Sequence, residues 1–221
     1  MELKKRIETA VHQRLDWLTE LYKDFHAQPE LSGQEAQTAA KVSEVLTESD
    51  LTVTTGIGGY GVVGIIDNGP GPTLLLRADM DALPVTEATG LPFASQVVVL
   101  DEKGEKVDVM HACGHDFHIT CLLGAAIVLS ELKDSWSGQL MVIAQPDEEI
   151  NGGANRMLND GLYERFGRPD FGLAFHVKPE LPAGSVGFRA GVRNAGNFPL
   201  DVTIRGTGGH GAEPHLAKDP V

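Results

Sequence analysis

The sequence predicts an α/β fold, in which helices cover a mainly parallel sheet, followed by the beginning of a smaller α+β domain. Four short apolar runs are typical of strands, and their nearly continuous hydrophobicity indicates burial on both faces. Helical segments precede the third and fourth of these runs, which is the alternation of a helix-covered sheet. The predicted strands are residues 62–67, 73–78, 139–145 and 171–177.

The predicted helices follow from apolar periodicity and from end signals. The first covers residues 2–26, and the second begins at Ser32 as an N-cap and ends near Ser49. Two further helices are expected over residues 116–133 and 153–162.

A second domain is expected to begin near residue 189, after a first domain over residues 1–188. Residues 198–205 alternate apolar and polar side chains, as in a half-exposed strand, and a glycine-rich loop follows over 206–215. Because one strand cannot form a stable domain, we expect residues 189–221 to be the first segment of a truncated second domain.

Composition excludes several classes of function. The 221 residues include 18 basic and 31 acidic ones, and the net charge of −13 argues against nucleic acid and anionic membranes as partners. No apolar run is long enough to span a membrane. Two cysteines, Cys113 and Cys121, cannot form a secreted-type disulfide framework, so a cytoplasmic location is expected.

The segment 110–118 concentrates metal-binding side chains: three imidazoles, one thiol and one carboxylate in nine residues. On a continuous helix His111, His115 and His118 would share one face. The Ala-Cys-Gly sequence before His115 argues against that helix, which favours Cys113 and His115 as ligands, with His118 outside the ligand set or in packing.

Further acids and one imidazole stand where predicted strands end. Asp79 and Asp81 follow the second strand, residues 147–149 follow the third, and His176 closes the fourth. Open α/β sheets bind ligands at this edge, so we expect these side chains to converge. Glu148 and Glu149 suggest one ligand and one proton carrier, against the alternative of a solvated pair. His176 is a ligand or a hydrogen-bonded core residue.

Other candidates carry less information. The glycines of 56–61 precede a strand instead of opening a helix, which argues against a dinucleotide site. His210 lies in the glycine-rich loop, where it is either a residue of the functional site or a solvent-exposed histidine. His12, His26 and His215 are expected to be surface or capping residues.

The chain resembles the aminoacylase/carboxypeptidase-type metallo-amidohydrolases, peptidase family M20. The similar branch contains hippurate hydrolases, indole-3-acetyl-amino-acid hydrolases and N-acetyldiaminopimelate deacetylases. The resemblance extends over nearly all of the chain and rests on residues 26–32, 77–84, 110–118, 145–149, 208–210 and 214–215.

The resemblance implies a centre with two divalent metals, zinc or manganese, with cobalt or nickel as alternatives. It implies Glu148 as general base and His210 as a lid histidine that reaches a neighbouring subunit's site, hence a homodimer of the full-length protein. The implied metal ligands are Cys113, His115, Glu149 and His176. The residues expected around these ligands are Asp79, Asp81, Asp116 and His118.

Two departures from the family pattern bear on function. Asp147 stands where relatives usually carry alanine, and its carboxylate is expected to repel its neighbours. Relatives also continue for more than a hundred residues, including one more metal-binding histidine.

The expected activity is metal-dependent hydrolysis of the amide bond of N-acyl amino acids or related small amides, an activity of the linear-amide class EC 3.5.1. The alternatives are a dipeptide metallopeptidase and an inactive metal-binding fragment. Because of the expected truncation, we expect weak activity at most for the 221-residue chain.

Overall fold

Five helices and seven strands make up the computed structural model, which describes residues 2–100, 104–192, 196, 200 and 202–218. Two helices come first, α1 (Glu2–Ala27) and α2 (Ala36–Glu48), followed by β1 (Thr52–Ile57), β2 (Gly61–Asn68) and β3 (Thr73–Asp79). Next are β4 (Val98–Leu100), β5 (Lys106–Asp108), α3 (His115–Glu131) and β6 (Gly138–Gln145). The last are α4 (Gly153–Asn159), α5 (Leu162–Phe166) and β7 (Phe171–Ala174).

The central sheet has the strand order β1-β2-β6-β3-β7. β3 runs parallel to both β6 and β7, whereas β2 is antiparallel to β1 and β6. Only β2 therefore runs against the others, and the predicted mainly parallel α/β sheet is confirmed. β4 and β5 form a separate antiparallel pair.

The alternation of side chains along each strand gives the sheet two covered faces. On β6, Leu140, Val142 and Ala144 join the larger core with apolar residues of α1, α2 and α3. Met141 and Ile143 point the other way and pack with Met157 of α4 and Leu162 of α5. Helices thus cover both faces, which buries the central strands.

Helix α3 lies in the interior, because α1 and the sheet enclose it. It is apolar around most of its circumference, and Gly124 lets Leu18 of α1 approach closely: a Cβ there would lie 3.2 Å from the Leu18 methyls. The helix begins at His115, directly after Gly114 with φ of 80°. A left-handed turn of this kind favours glycine, and it places His115 and His118 in the first helical turn.

Several sequence predictions are wrong in detail. Helix α2 begins at Ala36, and Ser32 donates its hydroxyl hydrogen bond to Asp81 instead of capping the helix. β7 ends at Ala174 and its residues are exposed rather than buried on both faces. The apolar runs in the sequence also did not predict strands β1, β4 and β5.

The chain divides into two compact units, Met1–Lys178 and Pro179–Val221. In the second unit, Thr207 and Lys218 form an isolated antiparallel bridge, and a short 3-10 helix covers Pro214–Leu216. Part of the predicted strand over 198–205 lies outside the described residues, and residues 202–205 are not in a strand. Across the described part of the chain, no helix combines the length and apolarity that crossing a membrane requires.

Gly153→Ala is expected to destabilise the first unit by more than about 2 kcal/mol, because a Cβ would overlap the Pro146 carbonyl. Gly153 opens α4 beneath the loop that carries Asp147. Urea denaturation measures the loss. Gly172→Ala is the control, since its Cβ would meet only Leu75 at 4.0 Å, and it should change stability by less than about 0.5 kcal/mol. Equal effects of the two changes would contradict the steric explanation.

Candidate metal centre

Three parallel strands end beside the first turn of α3. Asp79 is the last residue of β3, the loop 146–149 follows β6, and His176 follows β7 by two residues. His115 stands at the start of α3, close to all three segments. The convergence expected from strand-end positions is therefore present for the residues of the first unit.

The imidazole of His115 is completely buried and has one free nitrogen. Its Nδ1–H donates a 2.7 Å hydrogen bond to the Asp81 carbonyl oxygen. Its Nε2 lies 3.7 Å from Oε1 of Glu149. Neither of these two atoms has a hydrogen-bond partner among the described residues, although both are buried. Buried polar atoms are rarely left unpaired, so this pair indicates a site for a cation.

Cys113 and His176 complete this side of the site. The Cys113 Sγ lies 3.2 Å from Nε2 of His176, whose Nδ1–H donates to the Val177 carbonyl oxygen at 2.8 Å. Donor atoms of Cys113, His115 and His176 all lie within 4.8 Å of one another. The same holds for His115, Glu148 and Glu149.

These donors fit a divalent metal. A thiol, two imidazoles with hydrogen-bonded Nδ1 and a carboxylate are ligand types of zinc and its neighbours. Burial and the nearby Glu149 raise the pKa of Cys113 to about 12. The thiolate therefore needs a cation to offset its charge. Burial likewise raises the pKa of Glu149.

Glu148 and Glu149 differ in exposure. The Glu148 side chain is 39% exposed and its Oε2 is 4.0 Å from the His115 Nε2, whereas Glu149 is 18% exposed with a buried Oε1. The inner carboxylate suits a ligand and the outer one suits a proton carrier that reaches solvent.

Asp79 and His118 are close enough to His115 to form an alternative metal cluster, but their polar atoms are occupied. His118 donates from Nδ1 to Asp79 at 2.7 Å and accepts at Nε2 from the Val177 N–H at 3.0 Å. Arg77 donates to the other Asp79 oxygen at 2.8 Å. Burial raises the pKa of Asp79, but His118, His115 and Arg77 outweigh it and hold that pKa far below its usual range.

Asp81 holds several segments together. Its Oδ2 accepts hydrogen bonds from the Ser32 hydroxyl at 2.6 Å and from the Glu149 N–H at 2.9 Å. Burial raises the pKa of Asp81, but His115, the Ser32 hydroxyl and the backbone N–H of Glu149 outweigh burial and lower that pKa below its usual value.

Asp147 does not add the unbalanced charge that its sequence position suggested. Its carboxylate forms an ion pair with Arg156, and its N–H donates to buried Glu35 at 2.8 Å. Asp147 has φ of 52°, a conformation in which only a few non-glycine residues occur. Arg156 and Glu35 thus fix the backbone that leads into the Glu148–Glu149 pair.

His26 is buried, and the prediction of a surface or capping role is wrong. Its Nδ1 contacts Asp116 at 2.6 Å and its Nε2 contacts Glu87 at 3.0 Å. Burial lowers the pKa of His26, but the two carboxylates outweigh it and raise that pKa. Asp116 is in the first turn of α3 as expected, and its side chain faces His26. His111 is also buried, and burial lowers its pKa to about 4.

His210 belongs to the second unit, where its Nδ1 accepts a hydrogen bond from the Ala212 N–H at 3.2 Å. Its role in catalysis stays a prediction. The sequence analysis did not single out Arg77, Glu35 and Arg156, because their hydrogen bonds and ion pairs with Asp79 and Asp147 leave no periodic signal in the sequence.

An α/β sheet with this donor set at its strand ends defines a class of hydrolases with a metal site at that edge. The chain belongs to peptidase family M20/M25/M40, because the sequence model of that family matches residues 75–221. The expected resemblance is thereby confirmed.

Similar proteins include hydrolases with different names. A probable hydrolase of Synechocystis is 44% identical over 100% of this chain and 53% of its own length. Thermostable carboxypeptidase 2 of Saccharolobus solfataricus is 38% identical over 100% of this chain and 54% of its own length. N-acetyl-L-cysteine deacetylase of Bacillus subtilis is 39% identical over 90% of this chain and 45% of its own length.

Among solved structures, the Bacillus subtilis YXEP protein, described as a dinuclear metal-binding peptidase of family M20, is 37% identical. The TM-score is 0.66 over 79% of this chain and 45% of that one. The chain spans about half the length of the curated relatives it matches.

Glu35→Gln is expected to raise the free energy of unfolding, relative to wild type, by more at pH 8 than at pH 5. Burial raises the pKa of Glu35 from 4.5 to about 7. The folded state therefore binds the proton more tightly than the unfolded state, and stability falls as pH rises from about 4.5 through 7. The loss is at most about 3 kcal/mol, and the amide oxygen of glutamine can still accept the Asp147 N–H bond.

Urea denaturation at the two pH values measures this effect. Exposed Glu48 at the end of α2 provides the matched control, because Glu48→Gln should shift stability equally at both. A Glu35→Gln shift that does not depend on pH would refute the buried-acid account.

Proposed function

We propose that the whole protein hydrolyses the amide bond of N-acyl amino acids with two divalent metal ions, zinc or manganese. The proposed ligands are Cys113, His115, Glu149 and His176. One observation carries the proposal: buried, unpartnered atoms of His115 and Glu149 face each other at 3.7 Å, beside the contact between Cys113 and His176.

Cys113, His115, Glu149 and His176 would hold the metal ions, which would supply acidification of a water molecule and polarisation of the substrate carbonyl. Glu148, the outer carboxylate, takes the proton from the attacking water and returns it to the leaving nitrogen. We propose that His210 donates a hydrogen bond to the developing oxyanion, a contribution of about 3 kcal/mol in comparable sites. Asp79, Asp81 and His118 hold the ligands without binding metal.

Two substrate classes have support. The relative named N-acetyl-L-cysteine deacetylase favours N-acyl amino acids, and the relative named thermostable carboxypeptidase 2 favours peptides as the second candidate. Turnover of N-acetyl and benzoyl amino acids beside dipeptides discriminates between them.

A second proposal concerns the assembly of the whole protein, and the family resemblance of residues 208–210 and 214–215 supports it. We propose that residues 189–221 begin a lid and dimerisation domain and that the whole protein is a homodimer, in which His210 serves the neighbouring subunit. Light scattering on the chain extended by the C-terminal half of the Synechocystis relative tests the dimer, and a monomer at micromolar concentration would rule it out.

Cys113→Ala is expected to weaken zinc affinity at least tenfold, because the change removes the thiolate ligand. Elemental analysis and competition against a fluorescent chelator measure binding. Cys121→Ala is the matched control, since Cys121 lies in α3 outside the cluster and its loss should leave affinity within about threefold. A folded wild-type chain that binds no zinc at micromolar supply would refute the ligand assignment.

Glu148→Gln is expected to keep metal while lowering kcat by about 10²- to 10⁴-fold, since it removes the proton carrier and leaves the ligands. Glu149→Gln is the paired variant and should lose metal as well as turnover. Both are assayed in the 221-residue chain and in the extended chain. Turnover that survives in Glu148→Gln while metal is lost would reverse the two roles.

A further inference from the structure

We propose that His118 is a positioning residue, which orients His176 as a metal ligand through the backbone of Val177. This inference rests on the proposed function, because it concerns the geometry of one of the proposed ligands. It assigns His118 a defined tautomer, with the proton on Nδ1 and the lone pair on Nε2, and a role outside the ligand set.

The hydrogen bonds around Asp79 fix the tautomer of His118. Arg77 donates to Oδ2 of Asp79 at 2.8 Å, and Oδ1 lies 2.7 Å from Nδ1 of His118. A carboxylate beside a guanidinium can only accept, so the His118 proton is on Nδ1. Nε2 is then free to accept the Val177 N–H, and the structure places that bond at 3.0 Å. Both nitrogens of the completely buried ring are thereby used, which excludes His118 as a ligand.

Val177 transmits this restraint to His176. The Val177 carbonyl accepts the His176 Nδ1–H at 2.8 Å, which directs Nε2 of His176 toward Cys113 at 3.2 Å. The Val177 side chain lies against Gly114, where a Cβ would be only 2.6 Å from its methyl group. The rings of His118 and His176 also meet edge to face, with centroids 4.6 Å apart.

His176 needs this restraint because the sheet does not supply it. The pairing between β3 and β7 ends at Arg77 and Ala174, and residues 175–178 have no regular secondary structure. His176 is exposed, whereas His115 is completely buried. An exposed side chain beyond the last strand residue loses conformational entropy on binding metal unless its backbone is held.

Two substitutions at His118 separate its two hydrogen bonds. An asparagine amide can replace Nδ1–H toward Asp79 but cannot reach Val177. A glutamine carbonyl can reach the Val177 N–H in place of Nε2. We expect His118→Asn to weaken zinc binding about 10- to 100-fold, the range for loss of a group that orients a ligand. His118→Gln should stay within about threefold of wild type.

His26→Asn is the matched control, because His26 is also a buried imidazole and its partners are Asp116 and Glu87. It should leave zinc affinity within about threefold. Circular dichroism establishes that each variant is folded, and competition with a fluorescent chelator gives affinity. Equal losses in the asparagine and glutamine variants, or no loss in either, would overturn the proposal.

Nitrogen-15 spectra of the histidine rings give a second readout that does not need folded variants or activity. In wild type at pH 8, His118 should show the Nδ1–H tautomer with and without zinc, and His176 should show it as well. An Nε2–H tautomer of His118, or a zinc-induced shift of its Nε2, would refute the positioning role. If wild type binds no zinc, the proposed function fails, and the tautomer without zinc still decides whether the hydrogen bonds exist.

Discussion

Hydrogen bonds between the end of β3 and the first turn of α3 hold the candidate site together. His115 donates to the Asp81 carbonyl and His118 donates to the Asp79 carboxylate, at 2.7 Å each. Both imidazoles therefore have a fixed orientation, and the free nitrogen of His115 faces the loop after β6. Because α3 is packed inside the fold, the sheet and helix set these positions before any ligand is present.

Charge compensation explains why so acidic a chain can bury several carboxylates at one edge. Arg77 offsets Asp79, Arg156 offsets Asp147, and the buried carboxylate of Asp81 accepts hydrogen bonds from a hydroxyl and a backbone amide. Asp81, Asp147 and Glu149 each have one buried oxygen without a hydrogen-bond partner among the described residues, and that of Glu149 lies 3.7 Å from the equally unpartnered Nε2 of His115. A divalent cation is the species that relieves this charge, which is why the proposed function depends on metal.

The two sides of the site differ in how firmly the fold holds them. His115 comes from a buried helix, whereas His176 comes from an exposed segment beyond the edge strand β7. In the proposal above, His118 compensates for this difference, because its Nε2 accepts the N–H of Val177, next to His176. The metal-binding side chains on both sides of the site agree with membership in peptidase family M20/M25/M40. The names of the relatives differ in the substrate they indicate.

By itself, the sequence determined the α/β class, four sheet strands and the convergence of residues 113–115, 147–149 and 176, because apolar periodicity and strand-end position are local signals. Tertiary structure alone decided that His26 is buried, that Arg156 neutralises Asp147 and that His118 bonds to Val177. The last two contacts give no periodic signal, and the Asp116 partner of His26 is 90 positions away. Hydrogen-bond partners depend on how the elements pack, so only the folded chain specifies them.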